Sequence, residues 1–229
     1  MSARETDRHA ALLERAAEAL AARFPTAGLG VTGSVAGGRH HAGSDLDLLV
    51  VDTAITRDWQ MAFHADGVRV NVVCAHPDRF AAQMRADAPA FGAVRASYVL
   101  SARTLRDPAG QLEALRGHAR DAVALRHAAR GELLAALAAA ARGRLARAGN
   151  VLDAWSASAL MNAVEGAHLR AGRTALDKAE GNRPLEVLAR EDPALHARVA
   201  AVLAGAAPVH PAVGEIVDTV FGERPQDTL

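Results

Sequence analysis

The feature that most constrains this chain is a glycine-rich turn that is followed by one aspartate just before an apolar segment and a second aspartate within that segment. Residues 28–32 predict a short strand, residues 33–38 a glycine-rich turn, and the apolar run 46–51 a buried strand. Because side chains alternate along a strand, Asp45 and Asp47 are expected on one face while Leu46 and Leu48 enter the core. Two neighbouring carboxylates repel each other unless a cation lies between them. The segment therefore predicts a binding site as well as part of a core.

The residue types in this segment predict a phosphate ligand. Backbone N–H groups at Gly33 and Ser34 are placed to cradle a phosphate where the turn opens a helix. Oxygen-only ligands such as Asp45 and Asp47 suit Mg²⁺, a cation that also binds nucleotide phosphates. A phosphate cradle beside a carboxylate-bound Mg²⁺ is the equipment that nucleotidyl transfer requires.

This segment resembles the signature of the DNA polymerase β-like nucleotidyltransferase superfamily. The matching positions are Gly33, Ser34, Ala36, Gly38, Ser44, Asp45, Asp47 and Leu48. The resemblance is close over residues 28–52 and loose over residues 53–110. It implies transfer of a nucleoside monophosphate from an NTP to an acceptor, with release of pyrophosphate and with Mg²⁺, or alternatively Mn²⁺, as the metal.

The resemblance also implies roles for individual residues. Asp45 and Asp47 would hold the metal that bridges the NTP phosphates. The residues expected to contact the nucleotide are Gly33, Ser34, Arg39, Ser44 and Lys178. Lys178 is the single lysine among 26 basic residues. The arrangement of domains also resembles the small-molecule nucleotidyltransferases, such as those that inactivate aminoglycosides or lincosamides, in which a basic residue of the helical domain commonly reaches the triphosphate. The alternative for Lys178 is a surface lysine in a weak ion pair.

One position departs from the superfamily pattern. The third carboxylate of that pattern, which helps to bind the metal and can accept a proton from the acceptor, falls on Asn71 in the segment 68–73. An amide offers a neutral oxygen but is no base near pH 7. Three outcomes stay open: another group serves as the base, the acceptor is already ionised, or the protein binds nucleotide without turnover.

Two residues are candidates for a substitute base. A hairpin predicted around Asp66 and Gly67 pairs His64 with Arg69, on the same face as Asn71. His64 is then a candidate catalytic residue beside Asn71, and the alternative is a solvent-facing sheet position. Glu165, from the helical part of the chain, could be supplied instead.

The elements predicted along the chain indicate an α+β protein with two domains. Strand signals end near residue 108, and helical patterns rich in alanine, leucine and arginine follow. We predict a nucleotidyltransferase domain with a small mixed β-sheet over residues 1–109 and an all-helical, substrate-binding domain over residues 110–229. The predicted strands are 28–32, 46–51, 59–65, 68–74 and 97–105. On helix 150–171, Trp155 is expected in the core.

Composition limits the partners. The formal net charge is zero and aromatic residues make up 3% of the chain, so a general nucleic-acid binder is not expected. The single cysteine excludes a disulfide framework. The sequence shows no membrane span and no signal peptide, which predicts a cytoplasmic protein without a membrane partner. We expect a monomer or a homodimer.

Three functions are consistent with these features. The first is a nucleotidyltransferase that acts on a small-molecule acceptor, in the setting of antibiotic resistance or natural-product biosynthesis. The second is a catalytically silent nucleotide-binding or antitoxin-like regulatory protein, which Asn71 favours. The third is an enzyme with the same chemistry that modifies a protein or a nucleic acid.

Overall fold

The computed structural model describes residues 3–88, 94–173 and 184–222. The described chain forms two compact units that divide between Leu125 and Arg126. The first unit combines a five-stranded sheet with helices, and the second is helical throughout its described residues. The α+β prediction is therefore confirmed.

The sheet of the first unit is mixed. Its strand order is β3-β4-β2-β1-β5, where β2 and β4 run parallel and the other neighbouring pairs run antiparallel. The strands are β1 Gly28–Thr32, β2 Leu46–Val51, β3 Trp59–Ala65, β4 Val68–Ala75 and β5 Arg103–Arg106. The central strand β2 is apolar except for Asp47, and its five apolar residues are buried on the two faces of the sheet. β3 lies at one edge.

Helices cover both faces of this sheet. The helices are α1 Ala3–Arg23, α2 Gly33–Ala36, α3 Pro77–Asp87, α4 Val94–Leu100 and α5 Gln111–Ala128. Leu12 and Leu13 of α1 pack with Leu48 and other residues on one face. On the opposite face, Leu49 packs with α3, α4 and the first part of α5, including Leu112. The alternation of β2 thus supplies two separate cores.

The second unit is built from helices α6 Arg130–Leu145, α7 Ala154–Arg170, α8 Pro184–Glu191, α9 Pro193–Leu203 and α10 Val209–Phe221. Its core joins Leu160, Val199 and Ile216 from three of these helices. α7 begins with a capping box, in which Asp153 accepts from the Ser156 backbone N–H and the Ser156 hydroxyl accepts from the Asp153 N–H. Asp153 and Ser156 therefore fix the residue at which α7 starts.

Two predictions about local structure are wrong. Residues 97–105 were expected to form a strand, but α4 runs to Leu100 and only β5 is extended. Ala96 and Val99 lie one helical turn apart and both are buried, so packing against the sheet favours a helix.

The second wrong prediction concerns Trp155, which was expected in the core. Its surface is 44% exposed, with the Arg147 guanidinium 5.3 Å from the ring centroid. The buried face of α7 runs through Ala159 and its neighbours instead.

Most of α5 belongs to the first unit, which extends to Leu125, and the apolar face of this helix completes the core under the sheet. The domain boundary at residues 109–110 stays a prediction. None of the helices in the described part of the chain is long and apolar enough to cross a membrane.

Candidate active site

Two aspartates and an asparagine meet on one face of the sheet. The β2–β4 register places Asp47 beside Asn71, and Asp45 immediately precedes β2. The Asn71 side-chain amide donates to Asp47 Oδ1 at 2.9 Å and to Asp45 Oδ2 at 3.2 Å. One NH₂ group thus bridges both carboxylates, so their oxygens converge on a single point.

The glycine turn packs directly against this pair. Gly33 has a φ of +71°, a conformation that favours glycine, and a Cβ built there would lie 2.7 Å from Asp47 Oδ2. Any side chain at this position would collide with the carboxylate. Ser34, which follows in α2, is partly exposed. The predicted neighbourhood of the Gly-Ser turn and Asp47 is therefore present.

A basic group lies at the exposed rim of the same face. Arg69 Nε is 3.9 Å from Asp45 Oδ2, and the Arg69 side chain is 54% exposed. His64 is paired directly with Arg69 across the hairpin, in the predicted register, and it is exposed. The sheet therefore brings His64 and Arg69 to the Asn71 side of the site.

The loop between the glycine turn and Asp45 is held in part by His9, a residue that the sequence pattern did not indicate. His9 of α1 is buried, with Nε2 3.0 Å from the Ser44 carbonyl oxygen, and its ring centroid lies 4.8 Å from that of His40. Ser44 Oγ accepts from the His41 N–H at 2.9 Å. Ser44 therefore shapes the loop that leads to Asp45. Arg39, at the start of this loop, is exposed.

His40 is a buried histidine whose two ring nitrogens have no hydrogen-bond partner among the described residues. Burial lowers its pKa, and the nearby charges of His9 and His41 lower that pKa further. The folded protein therefore favours neutral His40. The periodicity of the sequence does not predict the ring contact between His9 and His40, because the two residues come from elements far apart in sequence.

Two other candidates lie elsewhere. Glu165 is buried in the second unit and forms an ion pair with Arg126, which is also buried. Its carboxylate is thus engaged in a structural pair. Lys178 lies outside the described residues, so its predicted contact with the triphosphate stays a prediction.

The donor set at Asp45 and Asp47 fits a divalent cation such as Mg²⁺. Two carboxylates point to one position, and rotation of the Asn71 amide would present its oxygen to the same place. No group of three or more histidine, cysteine or acidic residues that could hold a metal occurs in the described ranges. A cation here would therefore have two carboxylate ligands and would leave positions for phosphate oxygens.

One comparison with known proteins supports this interpretation of the glycine turn and the aspartate pair. Residues 13–53 match the family model described as "Nucleotidyltransferase domain". A nucleotidyltransferase-like protein from Exiguobacterium sibiricum 255-15, of known crystal structure, aligns over 90% of this chain and 71% of its own. The identity is 15% and the TM-score 0.48. No curated protein matches the chain. Residues 13–53, which include the glycine turn and both aspartates, are therefore similar to a nucleotidyltransferase domain.

Proposed function

We propose that this protein is a Mg²⁺-dependent nucleotidyltransferase that moves a nucleoside monophosphate from an NTP to a small-molecule acceptor and releases pyrophosphate. The observation that carries the proposal is the convergence of Asp45 and Asp47 on one point beside Gly33. A phosphate that lies against this turn comes within reach of any cation that the two aspartates hold. Neither the turn at Gly33 nor the carboxylate pair would support nucleotidyl transfer alone.

The bound metal would supply Lewis-acid polarisation of the phosphate and neutralise the charge that develops on pyrophosphate. Asp45 and Asp47 would hold it, and Asn71 would lend a neutral oxygen. Backbone N–H groups at Gly33 and Ser34 would orient the phosphate chain. Lys178 is proposed to add a positive charge from outside the described residues. These groups stabilise charge without taking up a proton.

The acceptor oxygen attacks the α-phosphorus, and the bond to the pyrophosphate oxygen breaks. If the acceptor is a hydroxyl, its proton needs a base, and Asn71 cannot accept it. His64 lies on the same face and is exposed to an incoming acceptor, so we assign it this role. Arg69, its cross-strand partner, is placed to hold an anionic group of the nucleotide or the acceptor.

A second function is supported by one contact. In the structure, Asn71 turns its NH₂ group, and not its oxygen, toward both carboxylates. That hydrogen-bond pattern stabilises the aspartate pair without a cation, which suits a protein that binds nucleotide and does not turn it over. A catalytically silent, antitoxin-like regulator is therefore the alternative.

A mass-spectrometric screen distinguishes the two functions. The protein is incubated with Mg²⁺, each of the four NTPs and a panel of small molecules, and products are searched for a nucleoside monophosphate adduct. The enzyme predicts an adduct with at least one acceptor, and its formation should fall sharply in His64→Ala. The silent regulator predicts nucleotide binding without an adduct in the native protein. It also predicts that Asn71→Asp creates activity.

A further inference from the structure

The edge strand β3 exposes an apolar face. All residues from Trp59 to His64 are exposed, and Trp59, Met61 and Phe63 have 40%, 47% and 41% of their surface accessible. These three side chains alternate along the strand, so they share one face. They continue the row formed on β4 by Val70, which is buried. The apolar surface on this face of the sheet thus extends to the edge strand β3, where it is exposed.

The strand carries none of the usual protection against pairing. Edge strands in soluble proteins are commonly guarded by lysine, proline, a bulge or an inward-pointing charge. Residues 59–65 read Trp-Gln-Met-Ala-Phe-His-Ala, with no proline, no lysine and no carboxylate. The β3–β4 register is continuous from Trp59 to Ala65, so no bulge twists the edge away. Its outer backbone groups form a regular template for another strand.

We infer that β3 is the interface of a homodimer, in which two copies pair antiparallel along this edge and join their sheets. The strand is self-complementary about its midpoint, Ala62. Pairing around Ala62 places Met61 of each copy opposite Phe63 of the other on the apolar face. On the other face, Gln60 lies opposite His64, and two small Ala62 side chains meet at the twofold axis.

Charge does not oppose this pairing. The strand itself has no lysine, arginine, aspartate or glutamate. The flanking acids would approach each other across the axis, but Asp58 forms an ion pair with Arg79, and Asp66 with Arg15, within the same chain. The second copy is therefore favoured over a basic partner, because no unpaired acid marks the edge.

The surface area that the paired strands would bury sets the expected affinity of the dimer. Fully buried aromatic side chains contribute about 150–250 Å² each, so two aromatic side chains and Met61, at the exposures given above, add a few hundred Å² per copy. With the paired backbone, the interface falls near the lower end of the range for specific complexes, about 1,200 Å² in total. We therefore expect a dimer that dissociates in the micromolar range.

Sedimentation-velocity ultracentrifugation of the full chain tests the interface. Wild-type protein should shift from monomer to dimer between about 1 and 100 μM. Met61→Lys with Phe63→Lys should stay monomeric over the same range, because lysine blocks edge pairing. Leu152→Lys, a matched exposed apolar residue at 42% on the second unit, should dimerise like wild type. Monomeric wild type, or a dimer that survives the lysine variant, would overturn the inference.

Cysteine cross-linking tests the register. Ala62→Cys places two thiols at the twofold axis, within the Cα separation of a disulfide, and should give a covalent dimer on oxidation. Gln60→Cys is the control, since its own copy lies about 13 Å away in this register and should not cross-link. The native Cys74 is buried and its pKa is raised to about 12 by burial, so it does not compete. Equal cross-linking of both variants would contradict the proposed pairing.

Discussion

At the scale of single residues, the site depends on how closely Gly33 approaches Asp47. Because a Cβ at residue 33 would lie 2.7 Å from the carboxylate oxygen, Gly33→Ala must displace Asp47 or the turn. We expect kcat/KM for NTP to fall by at least about tenfold, in keeping with the rate lost when an active-site group shifts by about 1 Å. Steady-state kinetics would measure it.

Gly38 supplies the matched control for that substitution. It has a similar positive φ of +66°, but nothing lies within 4 Å of its Cβ position. Gly33→Ala and Gly38→Ala should therefore lose comparable stability from backbone strain, of order 1 kcal/mol. Only Gly33→Ala should lose activity. Equal losses of activity in both variants would show that strain, and not the contact with Asp47, controls the site.

The sequence predicts part of this residue-scale picture. The pairing of Asp45 and Asp47 on one face follows from strand alternation, and the position of His64 opposite Arg69 follows from a two-residue hairpin turn. The direction of the Asn71 amide does not follow, because it depends on the β2–β4 register. The contacts of His9 with His40 and Ser44 depend on how a helix crosses the sheet, which no local pattern encodes.

At the scale of elements, local preference and packing agree for most of the chain and disagree at α4. The run Ser97-Tyr98-Val99-Leu100 has the residue types of a strand, but Ala96 and Val99 are buried together only in a helix. Asp153 caps α7, so the helix begins at Ala154 and Trp155 lies in its first turn, where the side chain is exposed. Tertiary contacts and a cap decide both cases.

The ion pair between Arg126 of α5 and Glu165 of α7 allows a test of how much a buried charge pair stabilises the second unit. Arg126 and Glu165 are 2% and 3% exposed, so replacing Glu165 breaks an ion pair that is shielded from solvent. Glu165→Gln should lower the free energy of unfolding by about 3–5 kcal/mol, measured by urea denaturation. Glu215→Gln, which removes an exposed ion pair with Arg198, should change it by less than about 1 kcal/mol. Similar small effects would show that the buried pair contributes little.

At the scale of the whole molecule, stability should depend on pH through two buried histidines. Burial is the main cause that lowers the pKa of both His40 and His168 below the ordinary value of 6.5. Below that value the unfolded chain takes up protons that the folded chain does not, so stability is fully present above pH 6.5 and falls at lower pH. Tm should drop between pH 7.5 and 5.5, followed by circular dichroism.

Replacing the histidines checks the cause of that pH dependence. His40→Asn and His168→Asn remove the titrating groups, so each should flatten the fall of Tm between pH 7.5 and 5.5. The carboxylates with lowered pKa, such as Asp153 at about 2, titrate at more acidic pH and should not contribute in this window. An unchanged slope in both variants would assign the effect to other groups.

The central claim is that Asp45 and Asp47 support nucleotidyl transfer. The most direct measurement is transfer of label from α-³²P NTP to an acceptor, comparing wild type with Asp45→Asn/Asp47→Asn at matched Tm. We predict Mg²⁺-dependent transfer by wild type, and a loss of about 10³-fold or more in the variant, as expected when a metal's several kcal/mol are removed. Label transfer by the variant at the wild-type rate would contradict the assignment of the site.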